Sequence, residues 1–127
     1  MIQAYSSAAK VGAGFPRSYR LLKAGEFASV FSFRRSYANA YFQVWSRPNE
    51  LGFARVGVVV AKRIVRQAVF RNRIKRMTRE LFRHHAADFS GIDLVVRAKK
   101  PLYRNDTAAA RAALLLLFSR YTTCRVS

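Results

Sequence analysis

Residues 62–83 carry the side chains whose types and spacing could do chemistry with a polyanion. The segment holds nine Lys or Arg residues against one acid, Glu80. Guanidinium groups grip phosphate oxygens with paired hydrogen bonds, and Asn72 adds a directional donor and acceptor. A charged run can also be a solvated surface, but such surfaces carry balancing acids that are missing here. The segment therefore indicates a phosphate-binding surface.

The same segment has the periodicity of an amphipathic helix. Its apolar residues recur at spacings of four, three and four, which places them on one helical face. These residues are Phe70, Ile74, Met77 and Leu81. We predict a helix over residues 67–85, with a cationic face on the side opposite the core. That face is predicted to present Asn72 with Arg71, Lys75, Arg76, Arg79 and Arg83.

The acids and histidines offer no catalytic arrangement. Six acids stand at positions 26, 50, 80, 88, 93 and 106, without the spacing of metal ligands or of a paired general acid and base. His84 and His85 are adjacent, so on a helix their side chains diverge by about 100° and cannot chelate one ion together. We expect helix-end cations at these histidines, no active site in the protein, and no cofactor bound by the protein alone.

The elements that must position the basic segment form an α+β pattern. Helices are predicted over residues 24–33, over the basic segment, and from Asp106 or Thr107 to about Tyr121. Strands are predicted over residues 41–47, 53–61 and 92–98. In the first of these, Phe42 and Val44 alternate with Tyr41, Gln43 and Trp45, which is the pattern of a half-buried strand with Trp45 on the face opposite Phe42 and Val44. The run VGVVV in the second strand predicts burial on both faces. In the last helix the predicted packing face consists of Leu114, Leu115, Leu117 and Phe118.

Composition narrows the class of partner. The chain has 127 residues, of which 51% are apolar, so we expect one folded domain with its own core. The chain has a net charge of +18, so its like charges repel one another, and a polyanionic partner would relieve that repulsion. Nucleic acid fits best, because each neutralised phosphate also releases counterions. The sequence has no long apolar span, so we expect no membrane partner.

Four blocks of the sequence stand in a recognisable order. Residues 71–76 read RNRIKR. Upstream, residues 15–17 read FPR, residues 20–22 read RLL, and Phe27, Val30 and Phe31 follow as Phe-x-x-Val-Phe. Residues 55–63 contain RVGV leading into AKR, and residues 93–99 read DLVVRAK. Together these blocks, which span roughly residues 15–120, resemble the protein subunit of bacterial ribonuclease P, whose signature is the RNR motif.

The resemblance implies an α+β fold: a small mixed sheet of about four strands packed by three or four helices, with a left-handed strand–helix–strand crossover. General base rates favour a right-handed crossover for residues 53–98, and here we follow the resemblance. It also implies a protein that binds the catalytic ribonuclease P RNA and the 5′ leader of precursor tRNA. In the family, the RNA subunit and its Mg²⁺ ions remove the leader.

Two binding surfaces follow from the resemblance. The first faces the catalytic RNA and the cleavage site, and it comprises Lys62, Arg63, Arg66, Arg71, Asn72, Arg73, Lys75, Arg76 and Arg79. The second is a cleft for the single-stranded leader, and it comprises Phe27, Phe31, Gln43 and Trp45. Unstacked bases can lie on such aromatic faces.

Alternatives remain open at both surfaces. Arg73 lies nearest the apolar edge of the predicted helix and could instead pair with Glu80 or cap the core. Phe27 and Phe31 have helical spacing, which is also typical of core residues. A structural ribosomal-RNA-binding protein and a DNA-binding helix module would share the same composition. An aromatic cleft distinguishes the ribonuclease P protein, because a structural RNA binder needs no channel for a single strand.

The two ends of the chain are predicted to lie outside the folded domain. Residues 1–14 are predicted to be a flexible extension, residues 15–121 a single RNA-binding domain, and residues 122–127 a tail. The N-terminus lacks the apolar stretch of a secretory signal, so we expect a cytoplasmic protein. We also expect the protein to be monomeric within its ribonucleoprotein.

Overall fold

Three helices and four strands build the domain within residues 19–89 and 91–126, which the computed structural model describes. The helices are α1 (Ala24–Ser32), α2 (Ala68–His85) and α3 (Thr107–Val126). The strands are β1 (Arg35–Ala38), β2 (Phe42–Pro48), β3 (Arg55–Val59) and β4 (Ile92–Ala98). The predicted extension over residues 1–14 and the FPR block lie outside the described residues.

The strands form one mixed sheet in the order β1-β2-β4-β3. β2 pairs antiparallel with both β1 and β4, whereas β3 pairs parallel with β4. A parallel pair of neighbouring strands needs a crossover connection, and α2 supplies it between β3 and β4. The predicted α+β class with a small mixed sheet of four strands is therefore confirmed.

The helices α2 and α3 cover one face of the sheet and bury the main core. Phe42 and Val44 of β2 point into this core, as their alternation predicted. The predicted apolar faces are also confirmed, because Ile74, Met77, Leu81, Leu114, Leu117 and Phe118 are buried. Phe70 and Leu115 are half-buried at its margin. The Tyr121 hydroxyl donates to the Val44 carbonyl oxygen at 3.1 Å and ties the last helix to β2.

The opposite face of the sheet carries a smaller apolar cluster under α1. Leu21, Val30 and Val95 are buried there, and Phe27, Phe31, Trp45 and Val59 pack around them. Because α1 is only nine residues long, it covers part of this face and leaves the rest open. The sheet therefore carries a second apolar layer on the face opposite α2, and α1 covers this layer only in part.

Two sequence predictions about strands were wrong. β3 is shorter than residues 53–61 and is an edge strand, so Val58 and Val59 are half-buried and not enclosed on both faces. Its outer edge is partly capped by the segment before α1, where the Leu21 N–H donates to the Val56 carbonyl at 2.9 Å. β1 was not predicted at all, because its four residues, RSYA, carry no pattern typical of a strand.

A left-handed residue makes the short connection into β1 possible. Arg34 has φ 61°, a conformation that non-glycine residues seldom adopt. Its N–H donates to the Phe31 carbonyl at 3.1 Å, which closes the end of α1 and turns the chain into the sheet. The end of α1 is therefore fixed directly beside β1 and β2.

Candidate RNA-binding interface

Helix α2 and the segment before it expose several of the predicted RNA-binding side chains to solvent. Asn72 and Arg76 are exposed, and Lys75 is half-buried on the flank of α2. Before the helix, Lys62, Arg63 and Arg66 are all exposed. None of the predicted RNA-binding cations has a carboxylate within 4 Å among the described residues. This surface, residues 62–79, therefore keeps its positive charge uncompensated, and we call it the basic surface.

Arg71 differs from the prediction that it lies opposite the core. It is half-buried at the edge of α2, and its Nη1 donates to the carbonyl oxygens of Val65 and Arg66 at 3.0 and 2.8 Å. The reason is that the chain enters the helix along this side, which brings the Val65 and Arg66 carbonyls within reach of Arg71. Arg71 thus holds the entry segment, and only its remaining N–H groups can reach a phosphate.

Arg73 and Arg79 occupy the other edges of the helix. Arg73 stacks over the Phe70 ring, 5.3 Å from its centroid. It does not pair with Glu80, whose carboxylate contacts Arg83 and His84. Arg79 is half-buried, and burial followed by repulsion from Arg20 lowers the pKa of Arg79. The guanidinium nevertheless keeps its charge, because an arginine side chain is not deprotonated in proteins.

The second candidate surface lies on the α1 side of the sheet, where side chains fall in rows across the strands. Trp45, Val95 and Gly57 form one row, in register across β2, β4 and β3. Gln43, Arg97 and Val59 form the next row toward the carboxyl ends of β3 and β4. We call the space between α1 and these two rows the aromatic cleft.

Two phenylalanines of α1 build the wall of the aromatic cleft. The Phe27 ring lies against Gly57, so closely that a Cβ on residue 57 would stand 2.4 Å from its Cε1 atom. Phe31 meets Trp45 edge to face, with ring centroids 5.2 Å apart. All three rings are half-buried, so each combines packing with an accessible surface. The glycine in β3 is what lets the helix approach the sheet.

Trp45 is less open than the sequence predicted. Its ring is half-buried, and its indole N–H is buried without a hydrogen-bond partner among the described residues. Leaving such a donor unsatisfied costs about 1–3 kcal/mol. The fold thus places a large amphipathic ring in the cleft wall at a loss in stability, which is typical of binding surfaces.

The open end of the cleft is polar and basic. Gln43 donates from Nε2 to the Ser36 hydroxyl at 3.1 Å, and it accepts from Arg97 Nη2 at 2.8 Å. Arg97 itself is exposed. Lys62 follows Val59 by three residues, so their Cα atoms lie within about 11 Å. The cleft therefore opens toward the start of the basic surface.

A salt-bridge network ties α1 to the sheet at the closed end of the cleft. Arg55 donates to both carboxylate oxygens of Asp93, at 2.9 and 2.8 Å, and to Glu26 at 3.0 Å. Asn49 donates to the same Asp93 carboxylate at 2.6 Å. Asp93 is buried, and its hydrogen bond is the main cause that raises the pKa of Arg55. The network sets the distance between helix and strand.

Glu26 also caps the start of α1. Its Oε1 accepts from the backbone N–H groups of Leu22 and Lys23 at 2.9 and 3.1 Å. These bonds, followed by the charge of Arg55, hold the pKa of the Glu26 carboxyl below its ordinary value. The carboxylate is thus ionised at neutral pH and serves the architecture of the cleft.

Three of the acids are engaged in structure, and the acids among the described residues do not assemble a metal site. Glu26 and Asp93 share Arg55, and Glu80 pairs with Arg83. Within the described residues no three His, Cys, Asp or Glu side chains come together in a way that could hold a metal ion. In the same part of the chain no helix is long and apolar enough to cross a membrane.

Several residues of the two surfaces escaped sequence reasoning. Arg97 could have been found, because it alternates with the buried residues of β4 and must share a face with Val95. Ser36 could not have been found from the sequence, because the residues of β1 carry no pattern typical of a strand. The sequence shows Gly57 and Arg55 only as parts of a motif, because their roles depend on the docking of α1.

Comparisons with known proteins agree with the geometry. Residues 15–122 match the family model described as Ribonuclease P. The chain is 50% identical over 113 residues to the ribonuclease P protein component of Chromobacterium violaceum, covering 89% of this chain and 93% of that protein. It is 41% identical over 113 residues to the same component of Escherichia coli O157:H7, with coverages of 89% and 93%.

Solved structures give the same result for the fold. The ribonuclease P protein of Staphylococcus aureus superposes with a TM-score of 0.71 at 31% identity, covering 80% of this chain and 93% of that one. The protein from Thermotoga maritima gives 0.66 at 30% identity, with coverages of 80% and 96%. These matches support the ribonuclease P reading and not the alternative of a structural ribosomal-RNA binder. The chain belongs to the ribonuclease P protein family.

Proposed function

We propose that this protein binds the catalytic RNA of ribonuclease P through its basic surface and the 5′ leader of precursor tRNA through its aromatic cleft. Family membership makes it the protein part of a tRNA-processing ribonucleoprotein with an RNA partner. The single observation that carries the finer assignment is the position of the two surfaces. They lie on opposite sides of one sheet, and Lys62 of the basic surface follows Val59 of the cleft by only three residues.

The basic surface suits folded RNA. Exposed Lys62, Arg63, Arg66 and Arg76 can each neutralise a phosphate, and no nearby carboxylate competes within the described residues. Contacts to phosphates fix orientation without reading sequence. Asn72 stands among these cations and can add hydrogen bonds to a sugar or base. The surface would therefore position the protein on the RNA.

The aromatic cleft suits a single strand. Phe31 and Trp45 offer half-open rings on which unstacked bases can lie, at about 1–3 kcal/mol for each base. Arg97 and Gln43 at the open end supply donors for a phosphate. A duplex would offer these rings no unstacked bases. An extended leader would offer them, and mature tRNA has no leader to place there.

Catalysis is assigned to the RNA. The protein's acids pair with arginines, a histidine or backbone groups, except Glu50, which has no partner among the described residues, so we propose that Mg²⁺ is bound by the RNA of the holoenzyme. The protein contributes affinity and orientation for the substrate. We further propose that it acts as a monomer within the ribonucleoprotein, in the cytoplasm.

A comparison of precursor and mature tRNA tests the leader assignment. Trp45→Ala should weaken binding of precursor tRNA to the reconstituted holoenzyme about 5- to 150-fold, the loss of one stacked base, and leave mature tRNA unaffected. Tyr37→Ala is the matched control. This ring is also half-buried, but it lies on the other face of the sheet, 5.5 Å from Tyr121. Equal losses for both tRNAs, or an equal effect of both variants, would remove Trp45 from the leader site.

A further inference from the structure

An open cavity of about 500 Å³ lies between the segment that leads into α2 and the turn that follows β4. Its lining includes Arg63, Val65, Arg66, Phe70, Leu102 and Tyr103. Val65, Leu102 and Phe70 belong to the core under α2 and α3, whereas the aromatic cleft lies on the opposite face of the sheet. The cavity is therefore separate from the cleft.

One wall of the cavity is an exposed aromatic ring above an apolar floor. Tyr103 leaves 56% of its surface exposed, although its ring packs edge to face against Phe70 with centroids 6.1 Å apart. Val65 and Leu102 beneath it are buried. A flat, accessible ring beside apolar side chains is the arrangement on which nucleic-acid bases stack. The volume falls within the range of about 300–1,000 Å³ for small-molecule sites.

The rim of the cavity is cationic. Arg63 and Arg66 are exposed on its edge, and Arg73 stands over the Phe70 ring. No carboxylate is among the described residues that line it. A ligand that carries a negative charge next to a flat ring matches this combination. A nucleotide has both parts.

Both walls are held in place before any ligand arrives. On one side Arg71 binds the carbonyl oxygens of Val65 and Arg66, and the Val65 N–H donates to Ala61 at 3.0 Å. On the other side the Asp106 carboxylate accepts from the Tyr103 N–H at 3.2 Å, and the Asp106 N–H donates back to Tyr103 at 2.9 Å. Walls fixed in this way lose little entropy on binding.

We propose that this cavity binds one unstacked nucleotide of an RNA, with the base against Tyr103 and the phosphate at Arg63 and Arg66. The inference rests on the proposed function, which supplies the RNA. The nucleotide can come from ribonuclease P RNA or from precursor tRNA, since both present the same chemistry. Arg71 then acts as a positioning residue for the cavity, because it holds the two carbonyl groups that shape one wall.

Binding measurements on Tyr103→Ala and Tyr103→Phe test the inference and identify the source. The affinity of each protein for ribonuclease P RNA is measured first, and then the affinity of each assembled holoenzyme for precursor and mature tRNA. Tyr103→Ala should lose about 5- to 150-fold in one step, as expected for one stacked base. Loss in the first step assigns the nucleotide to ribonuclease P RNA, and loss in the second assigns it to the precursor.

Two control variants distinguish an effect at this cavity from a general loss of folding, and the binding of the natural protein tests the proposed function separately. Tyr103→Phe keeps the ring and should bind like the natural protein. Leu116→Ala removes an exposed apolar residue of α3 and should change neither affinity. Unchanged affinities for Tyr103→Ala, or equal losses for Tyr103→Phe, would overturn the inference while the proposed function stands. Failure of the natural protein to bind ribonuclease P RNA would instead overturn the proposed function.

Discussion

Replacing Gly57 by alanine should push Phe27 off the sheet and disturb the aromatic cleft. The new Cβ would lie 2.4 and 2.6 Å from Cε1 and Cζ of Phe27, and 3.1 Å from the Leu21 Cβ. Favourable carbon–carbon contacts lie at about 3.5–4.0 Å, so the ring must move by roughly 1 Å or more. Overpacking of this kind costs about 1–3 kcal/mol. The higher strand preference of alanine offsets about 0.5–1 kcal/mol.

The net loss in unfolding free energy, measured by urea denaturation, should therefore lie between about 0 and 2.5 kcal/mol, and near 1 kcal/mol for central values of both ranges. A double-mutant cycle identifies its cause. In a Phe27→Ala background the two closest contacts of the new methyl group are gone, so Gly57→Ala should lose its penalty, and the strand preference of alanine should stabilise the protein by up to about 1 kcal/mol. In the holoenzyme, Gly57→Ala should also weaken precursor tRNA binding and spare mature tRNA.

A second glycine supplies the control. Gly25 lies in the first turn of α1, and a Cβ there would meet nothing within 4 Å. Gly25→Ala should therefore stabilise the protein slightly, by up to about 1 kcal/mol, through helix preference alone. The reasoning is refuted if Gly57→Ala changes stability equally with and without the Phe27 ring, or if it stabilises the natural protein.

Two further predictions concern charge. Arg76→Ala should reduce the slope of log affinity for RNA against log salt concentration by about 0.7–0.9, the value of one phosphate. Arg111→Ala on α3 is the control and should leave the slope as it is. An unchanged slope for Arg76→Ala would assign Arg76 to a solvated face. Glu26 has a lowered pKa, so its stabilising contribution is present above the ordinary carboxyl value of 4.5 and is lost as pH falls through the lowered pKa. The stability difference between the natural protein and Glu26→Gln should shrink in acid, with Glu50→Gln as an exposed control; a difference independent of pH would contradict the role of Glu26.

The parts of the fold that sequence could predict are those with a strong period. The apolar stripe of α2 and the alternation in β2 are local patterns that the core enforces, so Ile74 and Val44 lie where predicted. β1 could not be predicted, because its pairing depends on the turn at Arg34 and on β2 rather than on its own residues. Burial of β3 depends on its edge position, which no local pattern reveals.

The binding surfaces divide in the same way. Exposed Arg76 follows from helical geometry, but the hydrogen bonds of Arg71 to Val65 and Arg66 depend on how the chain enters α2. Trp45 was placed on the correct face of β2, and its burial by Phe31 depends on the docking of α1. That docking requires the contact between Asp93 and Arg55, residues 38 positions apart. Long-range contacts of this kind leave no periodic signal.

Processing of precursor tRNA at low Mg²⁺ tests the central claim most directly. Ribonuclease P RNA is assayed alone and with this protein, across decreasing Mg²⁺ concentrations. The basic surface adds fixed positive charge next to RNA phosphates, which lowers the demand for Mg²⁺ as a counterion. The protein should therefore restore cleavage at Mg²⁺ concentrations where the RNA alone is inactive. If the RNA shows the same Mg²⁺ dependence with and without the protein, the proposed function is contradicted.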